Sequence, residues 1–325
     1  MRQSSPFASV VIHASQFPAS LRRDLLISLR TRKINHKFHY DSVKQTQKWL
    51  ALHQIYSPSR HDADCAATYD RAFAEAAGKI NSKRVHVIGL GCGGGQKDVR
   101  LLKLLKAGGK EIVYTPCDVS TAMVLVARQA ALAVVPEKKC FPFVCDLASA
   151  DDWQRFLVTR HPSLVTFFGM IPNFEPQEIL PKLASLIRPN DFLLFSANLA
   201  PGKNYDAGVK RVLPQYDNLP TRDWLLTFLL DLGVERGDGK LQFKIESGAG
   251  GLKRIAAHFV FTRAASFAIE SERFDFRRGE SIRLFFSYRY TPALIQKTLE
   301  KHGLEVSGEW ITQSGEEGVF LCRRK

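Results

Sequence analysis

From residue 84 onward, compact apolar runs alternate with amphipathic stretches. RVHVIGLG, EIVYTPCD, FPFVCD, LVTFFGM and DFLLFSANL read as buried strands, because they are short and apolar on both faces. Between them, KDVRLLKLLKA, TAMVLVARQAALAVV, DDWQRFLV and PQEILPKLASLI place apolar residues at helical spacing. Gly108-Gly109 stops the first of these helices and Arg188-Pro189 the last. Strand and helix in alternation with short links predict an α/β domain, a Rossmann-like parallel sheet with helices on both faces.

The flanks follow other rules. Residues 15–80 read as helix and loop, with LRRDLLISLR and Val43 to Leu52 as clear helices. After Pro201-Gly202 two helical pieces precede strands of a different kind. KLQFKIE alternates apolar and polar positions, the mark of a half-buried antiparallel strand, and RIAAHFVFTR, SFAIESERFDF and SIRLFFSYRY continue it. PALIQKTLEKHG is a last helix, and LEVSGEWIT with GVFLCRRK forms a closing hairpin. The chain is therefore expected to divide into a sheet domain at 81–201 and 291–325 and an inserted α+β substrate domain at 1–80 and 202–290.

Composition narrows the class. The chain has 325 residues, 45% hydrophobic and 24% charged, the balance of a soluble globular protein. No apolar stretch is long enough to span a bilayer, and the N-terminus lacks a signal-peptide pattern, so a cytoplasmic protein is expected. The six cysteines have neither CxxC nor zinc-ligand spacing and read as buried thiols rather than disulfides or metal ligands. The net charge of +14 favours contact with anions, nucleic acid included, although the basic residues are scattered.

Candidate chemistry gathers at strand ends. Gly89-Leu90-Gly91-Cys92-Gly93-Gly94-Gly95 follows one strand and opens a helix, so backbone can approach a nucleotide closely. Alone it fits a plain turn or a dinucleotide site. Asp118 ends the next strand, where a carboxylate accepts both hydroxyls of a ribose, of NAD or of an adenosyl cofactor. Asp146 and Leu147 end the third; an acceptor there suits the adenine amino group and favours S-adenosylmethionine. Both aspartates also stand where they could cap the following helix. The closing hairpin suits a methyltransferase sheet, whose seventh strand is antiparallel.

These residues resemble the histidine-specific methyltransferase family, which trimethylates the α-amino group of histidine and, in a fungal branch, methylates prenylated tryptophan. The resemblance runs from about residue 20 to 322. His36-Lys37-Phe38-His39-Tyr40-Asp41 is similar to the family's K-Y-F-Y-D, and Tyr56 to Asp62 (YSPSRHD) to its Y-Y-P-T-R-T-E. Gly91-Cys92-Gly93 with Lys97 resembles G-S-G followed by K-T, and Tyr114 to Ser120 (YTPCDVS) resembles Y-x-P-V-D-V-S. Gly169 to Phe174 (GMIPNF), Tyr216-Asp217-Asn218 and Ile282 to Thr291 (IRLFFSYRYT) resemble G-S-T-I-G-N-F, A-Y-N-D and I-x-T-E-x-S-x-K-Y-T.

The resemblance implies an S-adenosylmethionine-dependent N-methyltransferase with a class I sheet. It implies cofactor contacts at Gly89, Gly91, Gly93, Lys97, Asp118, Asp146 and Leu147, and a substrate held by Tyr56, Asn173, Tyr216, Phe285 and Ser287. Tyr40 would orient the accepting amine as the catalytic residue. Three departures matter. The glutamate that reads the imidazole falls at Phe285, the R-I-E-M-H segment is Arg254-Ile255-Ala256-Ala257-His258, and the acid before G-S-G is Gly89. The first two predict a small amino acid or related amine other than histidine as substrate. The third removes a partner for the cofactor's amino group, which implies weakened cofactor affinity or lost activity. A nucleic-acid or protein methyltransferase and an inactive cofactor-binding homologue stay open beside this reading.

Overall fold

The computed structural model describes residues 7–157 and 161–325. The first six residues of the N-terminal segment and Val158, at the end of DDWQRFLV, lie outside them.

The central sheet has eight strands in the order β1-β4-β3-β2-β5-β6-β13-β12. They are β1 (Val11–Ile12), β2 (Arg84–Leu90), β3 (Glu111–Asp118), β4 (Phe143–Val144), β5 (Ser163–Phe167), β6 (Phe192–Asn198), β12 (Leu304–Ile311) and β13 (Glu317–Arg324). Strands β1 to β6 run parallel; β13 is antiparallel to β6, and β12 to β13. This is a class I methyltransferase arrangement with one short extra edge strand. Helices α5 (Gln96–Ala107), α6 (Thr121–Ala131), α7 (Pro176–Leu186) and α10 (Pro292–Glu300) connect the strands. All residues of β5 and all but the first of β2 are buried, as their unbroken apolar runs require.

A second sheet, β11-β8-β7, is antiparallel and separate from the first. It comprises β7 (Gly239–Ser247), β8 (Lys253–Phe261) and β11 (Ser281–Arg289). It packs with α1 (Pro18–Thr31), α2 (Val43–Tyr56) and α9 (Leu219–Asp231) over a core of Leu29, Phe38, Trp224, Phe228, Phe259 and Ile282. The short α8 (Tyr205–Val212) completes this cap, and the single turn α3 (Pro58–His61) leads into the helix that follows it.

Three elements differ from the sequence expectation. SFAIESERFDF is a hairpin, β9 (Ala265–Ile269) with β10 (Glu272–Phe276), because Glu270 takes a left-handed φ of 53° and reverses the chain. DDWQRFLV contains one 3-10 turn, Trp153–Phe156, and not an α-helix. A single turn suffices to bring Trp153 and Leu157 into the core, where both are buried. Finally, the first 80 residues do not all join the cap. β1 adds to the edge of the main sheet, and α4 (Ala63–Lys79) lays Tyr69, Phe73 and Ala76 against Val85, Leu164 and Leu321 of that sheet. Its aromatic face has more apolar area to bury on a parallel sheet than beside a half-polar cap strand.

Two core histidines predict an acid-sensitive fold. His39 Nε2 lies 2.6 Å from the Leu284 carbonyl and His86 Nε2 lies 2.8 Å from Thr115 Oγ1. Burial lowers the pKa of each to about 4. An unfolded histidine titrates near 6.5, roughly, so below that pH the unfolded chain takes up protons that the folded chain refuses. Stability is expected to fall as pH drops from about 6.5 towards 4, by up to about 1.4 kcal/mol per pH unit for each histidine. Urea unfolding between neutral pH and about pH 5 checks this, and His86→Gln should flatten the slope; a midpoint independent of pH would refute it.

Candidate functional site

The strand order reverses at β2, which lies between β3 and β5, and open α/β sheets bind ligands in the crevice at such a point. A cavity of about 540 Å³ opens there, between the carboxyl ends of the strands and the cap. One arm is lined by Gly91, Gly93, Asp118, Leu147 and Phe168, the other by Ile27, His36, Tyr40, Asn173 and Phe286.

The cofactor arm is built by the glycine turn. Gly91 and Gly93 take φ values of 60° and 51°, conformations that side chains disfavour. Asp118 holds this turn: its Oδ2 accepts the Gly93 N–H at 3.0 Å and its Oδ1 the Ser120 N–H at 3.0 Å. The cap of α6 is the Ser120 hydroxyl, not Asp118. Burial pushes the Asp118 pKa up against these backbone donors. Each carboxylate oxygen keeps further acceptor capacity, as a ribose diol requires. Asp146 is more committed. Its Oδ1 accepts the Ala148 N–H at 2.9 Å, and its Oδ2 lies 3.2 Å from Lys37 Nζ. Leu147 lines the cavity beside it. Lys97 also lines the cavity, its ammonium 2.7 Å from the Tyr69 hydroxyl and 3.8 Å from Glu317.

The acceptor arm carries Tyr40. Its hydroxyl lies 3.1 Å from His36 Nε2. Burial, with Asp118 close by, raises the Tyr40 pKa, and burial lowers that of His36 to about 3. Both are therefore neutral at physiological pH. Asn173 donates its amide to the Phe286 carbonyl at 2.8 Å, tying the loop after β5 to β11.

Five sequence-predicted residues stand outside the cavity lining. Tyr56 is 50% exposed at the end of α2, since Pro58 starts a new helix and turns the chain away. Gly89 is covered by the Asp98 side chain: a Cβ on Gly89 would stand 2.1 Å from Asp98 Oδ2. Tyr216, Phe285 and Ser287 lie behind the wall. The Tyr216 hydroxyl is 2.9 Å from both Ser287 Oγ and Arg289 Nη2. The Phe285 ring packs against His36, Tyr216 and Trp224. The cause is a β-bulge. The pairing of β11 with β8 shifts between Arg283 and Phe285, so Arg283 and Phe286 share the cavity face while Phe285 and Ser287 turn to the packed side.

The cavity brings in groups that the sequence reading did not name as site residues: His36, Lys37, Asp98, Arg283 and Phe286. His36 and Lys37 belong to the HKFHYD stretch that carries the resemblance, so their place was signalled there. Asp98 in a first helical turn reads as an ordinary solvated charge, and a bulge has no signature in RLFF. Among the described residues no cluster of His, Cys, Asp or Glu could hold a metal ion, and no helix is long and apolar enough to cross a membrane.

The donor set fits S-adenosylmethionine, with a carboxylate for the ribose, an apolar platform at Leu147 and a backbone cradle at Gly91 to Gly93. Asp118→Asn replaces an acceptor with a donor facing the Gly93 N–H and the ribose. It is expected to weaken cofactor binding by about tenfold or more, since a hydrogen bond to a charged group is worth about 1.5–3 kcal/mol. Calorimetric titration with S-adenosylhomocysteine checks this, and unchanged affinity would remove Asp118 from the ribose site.

The chain matches the family described as histidine-specific methyltransferase, SAM-dependent, over residues 21–206 and 249–324. It is 23% identical over 273 residues to the N-methyltransferase imqF of Aspergillus flavus, covering 81% of this chain and 73% of that protein. Among solved structures it is similar to the CcbJ methyltransferase from Streptomyces caelestis, at 16% identity, 79% of this chain, 96% of that chain and a TM-score of 0.42. It is also similar to the glycopeptide N-methyltransferase MtfA complexed with S-adenosylmethionine, at 12% identity, 78% and 94% coverage and a TM-score of 0.38. The match to the family spans well over half of the chain, and the chain is a member of the histidine-specific, S-adenosylmethionine-dependent methyltransferase family.

Proposed function

We propose that this enzyme methylates the amino group of an α-amino acid, or a closely related amine, with an apolar or aromatic side chain, and that histidine is not its preferred substrate. The observation that carries this reading is the wall of the acceptor arm. Ile27, Ile34, Trp49, Phe174 and Phe286 line it beside Glu178 and Glu175, the latter paired with Arg254 at 2.7 Å, and Phe285 fills the space behind His36. No carboxylate stands at the Phe285 position to accept an imidazole N–H. An imidazole bound against apolar groups would leave a polar group unpaired, at a cost of about 1–3 kcal/mol. Polar groups for an amino-acid backbone are present: Asn173, and Arg283, whose guanidinium lines the cavity with its nearest carboxylate, Glu246, at 3.8 Å. The name N-methyltransferase of imqF supports nitrogen as the acceptor.

S-adenosylmethionine supplies an electrophilic sulfonium methyl. The work of the protein is then to present a nitrogen lone pair to it in line. Tyr40 suits this task. When its O–H donates to His36 Nε2, its oxygen is left to accept an N–H of the substrate, which turns the lone pair towards the cofactor arm. Asn173 and Arg283 would hold the carboxylate. The low pKa of His36 and the raised pKa of Tyr40 make both poor proton acceptors near neutral pH. The amine is therefore expected to react after losing its proton to solvent.

Two measurements test the reading. Incubation with methyl-labelled cofactor and a panel of amino acids should label aromatic or aliphatic members with a kcat/KM about tenfold or more above histidine. Histidine as the best substrate would overturn the specificity reading, and label on RNA or protein alone would overturn the substrate class. Secondly, log kcat/KM should rise with pH with unit slope up to the pKa of the substrate amine, and follow that pKa when the substrate is changed. A plateau set by an enzyme group near neutrality would show that a protein base takes the proton.

A further inference from the structure

The family resemblance leaves the cofactor's amino group without a partner, because the strand position before the glycine turn is Gly89. The structure shows what occupies that place. Asp98, in the first turn of α5, is 3% exposed and lines the cavity. Its Oδ2 accepts from the Tyr114 hydroxyl at 2.7 Å and its Oδ1 from Thr166 Oγ1 at 2.8 Å. A Cβ on Gly89 would sit 2.1 Å from Oδ2 and 3.1 Å from Cγ of Asp98. Strand and helix thus exclude each other here: with Asp98 in place, only glycine fits at 89.

This carboxylate lacks a cation. Both of its partners are neutral hydroxyls, and among the described residues no lysine, arginine or histidine forms an ion pair with it. Lys97 precedes it in sequence, but its ammonium is turned to Tyr69 and Glu317. The contrast with the other end of the cavity is direct. There the carboxylates of Asp24 and Asp146 share Lys37, at 2.5 and 3.2 Å, and Asp24 also meets Arg23 at 3.0 Å. Burial pushes the Asp98 pKa up to about 6, despite two hydroxyl donors. A buried acid held by neutral donors beside a ligand cavity is incomplete without a positive charge. S-adenosylmethionine carries one at the end remote from adenine, the α-ammonium of its methionyl part. Leu147 and Asp118 set the adenosine end, and Asp98 lies under the glycine turn beside Thr166 of the neighbouring strand β5.

We propose that Asp98 binds the α-ammonium of S-adenosylmethionine, so that the acid missing from strand β2 at Gly89 is supplied from helix α5. Gly89 is then not a lesion but the space that this carboxylate needs. The proposal rests on the cofactor assignment, and its test separates the two. Two ligands serve: S-adenosylhomocysteine, which carries the ammonium, and 5′-methylthioadenosine, which keeps the nucleoside but lacks the amino-acid end.

In calorimetric titrations, Asp98→Asn should weaken S-adenosylhomocysteine by about tenfold or more while leaving 5′-methylthioadenosine unchanged. Asparagine keeps the shape and can still accept from one hydroxyl, so the fold is retained. In the wild type, affinity for S-adenosylhomocysteine should fall about tenfold per pH unit as pH drops below about 6, because protonation of Asp98 removes the charge. That dependence should vanish in Asp98→Asn. Moving the acid gives a second arm: Gly89→Asp with Asp98→Ala should recover most of the affinity lost in Asp98→Ala alone. Unchanged binding of S-adenosylhomocysteine by Asp98→Asn, or equal losses for both ligands, would overturn the proposal. A wild type that binds neither ligand would overturn the cofactor assignment and the proposal with it.

Discussion

The ammonium of Lys37 joins the two sheets. Its side chain is 2% exposed and lies between Asp24 of α1, at 2.5 Å, and Asp146 at the end of β4, at 3.2 Å. Burying three charges is costly, and only mutual neutralisation with good geometry offsets it. Once formed, the cluster fastens the cap over the Asp146 end of the crevice. Tyr40, one helical turn further along the chain, is thereby placed over the cofactor arm. Asn173 makes the second tie, from the loop after β5 to the Phe286 carbonyl of β11. Between these two ties the cavity has a roof as well as a floor.

The carboxylates around the cavity divide by what neutralises them. Asp24, Asp146 and Glu175 have protein cations, the last being Arg254 at 2.7 Å, and they hold walls together. Asp118 is met by backbone N–H groups and Asp98 by hydroxyls, so both keep an unmet negative charge. An S-adenosylmethionine molecule carries positive charge at its sulfonium and its ammonium. Unmet charge in a desolvated crevice is worth more than in water, and here it lies where a cationic ligand would enter.

One extra residue in a strand sets which side chains face the cavity. The bulge between Arg283 and Phe285 exchanges the faces of the part of β11 that follows it, so Phe286 looks into the cavity beside Arg283 where strict alternation would have presented Phe285 and Ser287. Ala256 and Ala257 lie opposite Phe286 and Phe285 on β8, and their small side chains leave room for both rings. Around Phe285 this segment is a packed aromatic wall.

Much of the main sheet was legible in the chain because its strands are buried on both faces and its helices on one. Those two patterns are local and periodic, and they predicted the parallel strands β2 to β6, three of the four helices expected between them and the antiparallel closing hairpin. The placing of the glycine turn, Asp118 and Leu147 at the cavity was legible for a related reason, since strand ends can be located from the same local pattern. Tertiary structure alone decided the rest. Whether α4 covers the sheet or the cap depends on which apolar surface meets Tyr69 and Phe73. Whether Phe285 or Phe286 joins Arg283 on the cavity face depends on a bulge set by pairing with β8. That the Asp98 side chain fills the space a side chain at Gly89 would need depends on how helix α5 packs against strand β2. Each of these is a contact between residues remote in sequence or on different elements, and no periodicity along one segment encodes it.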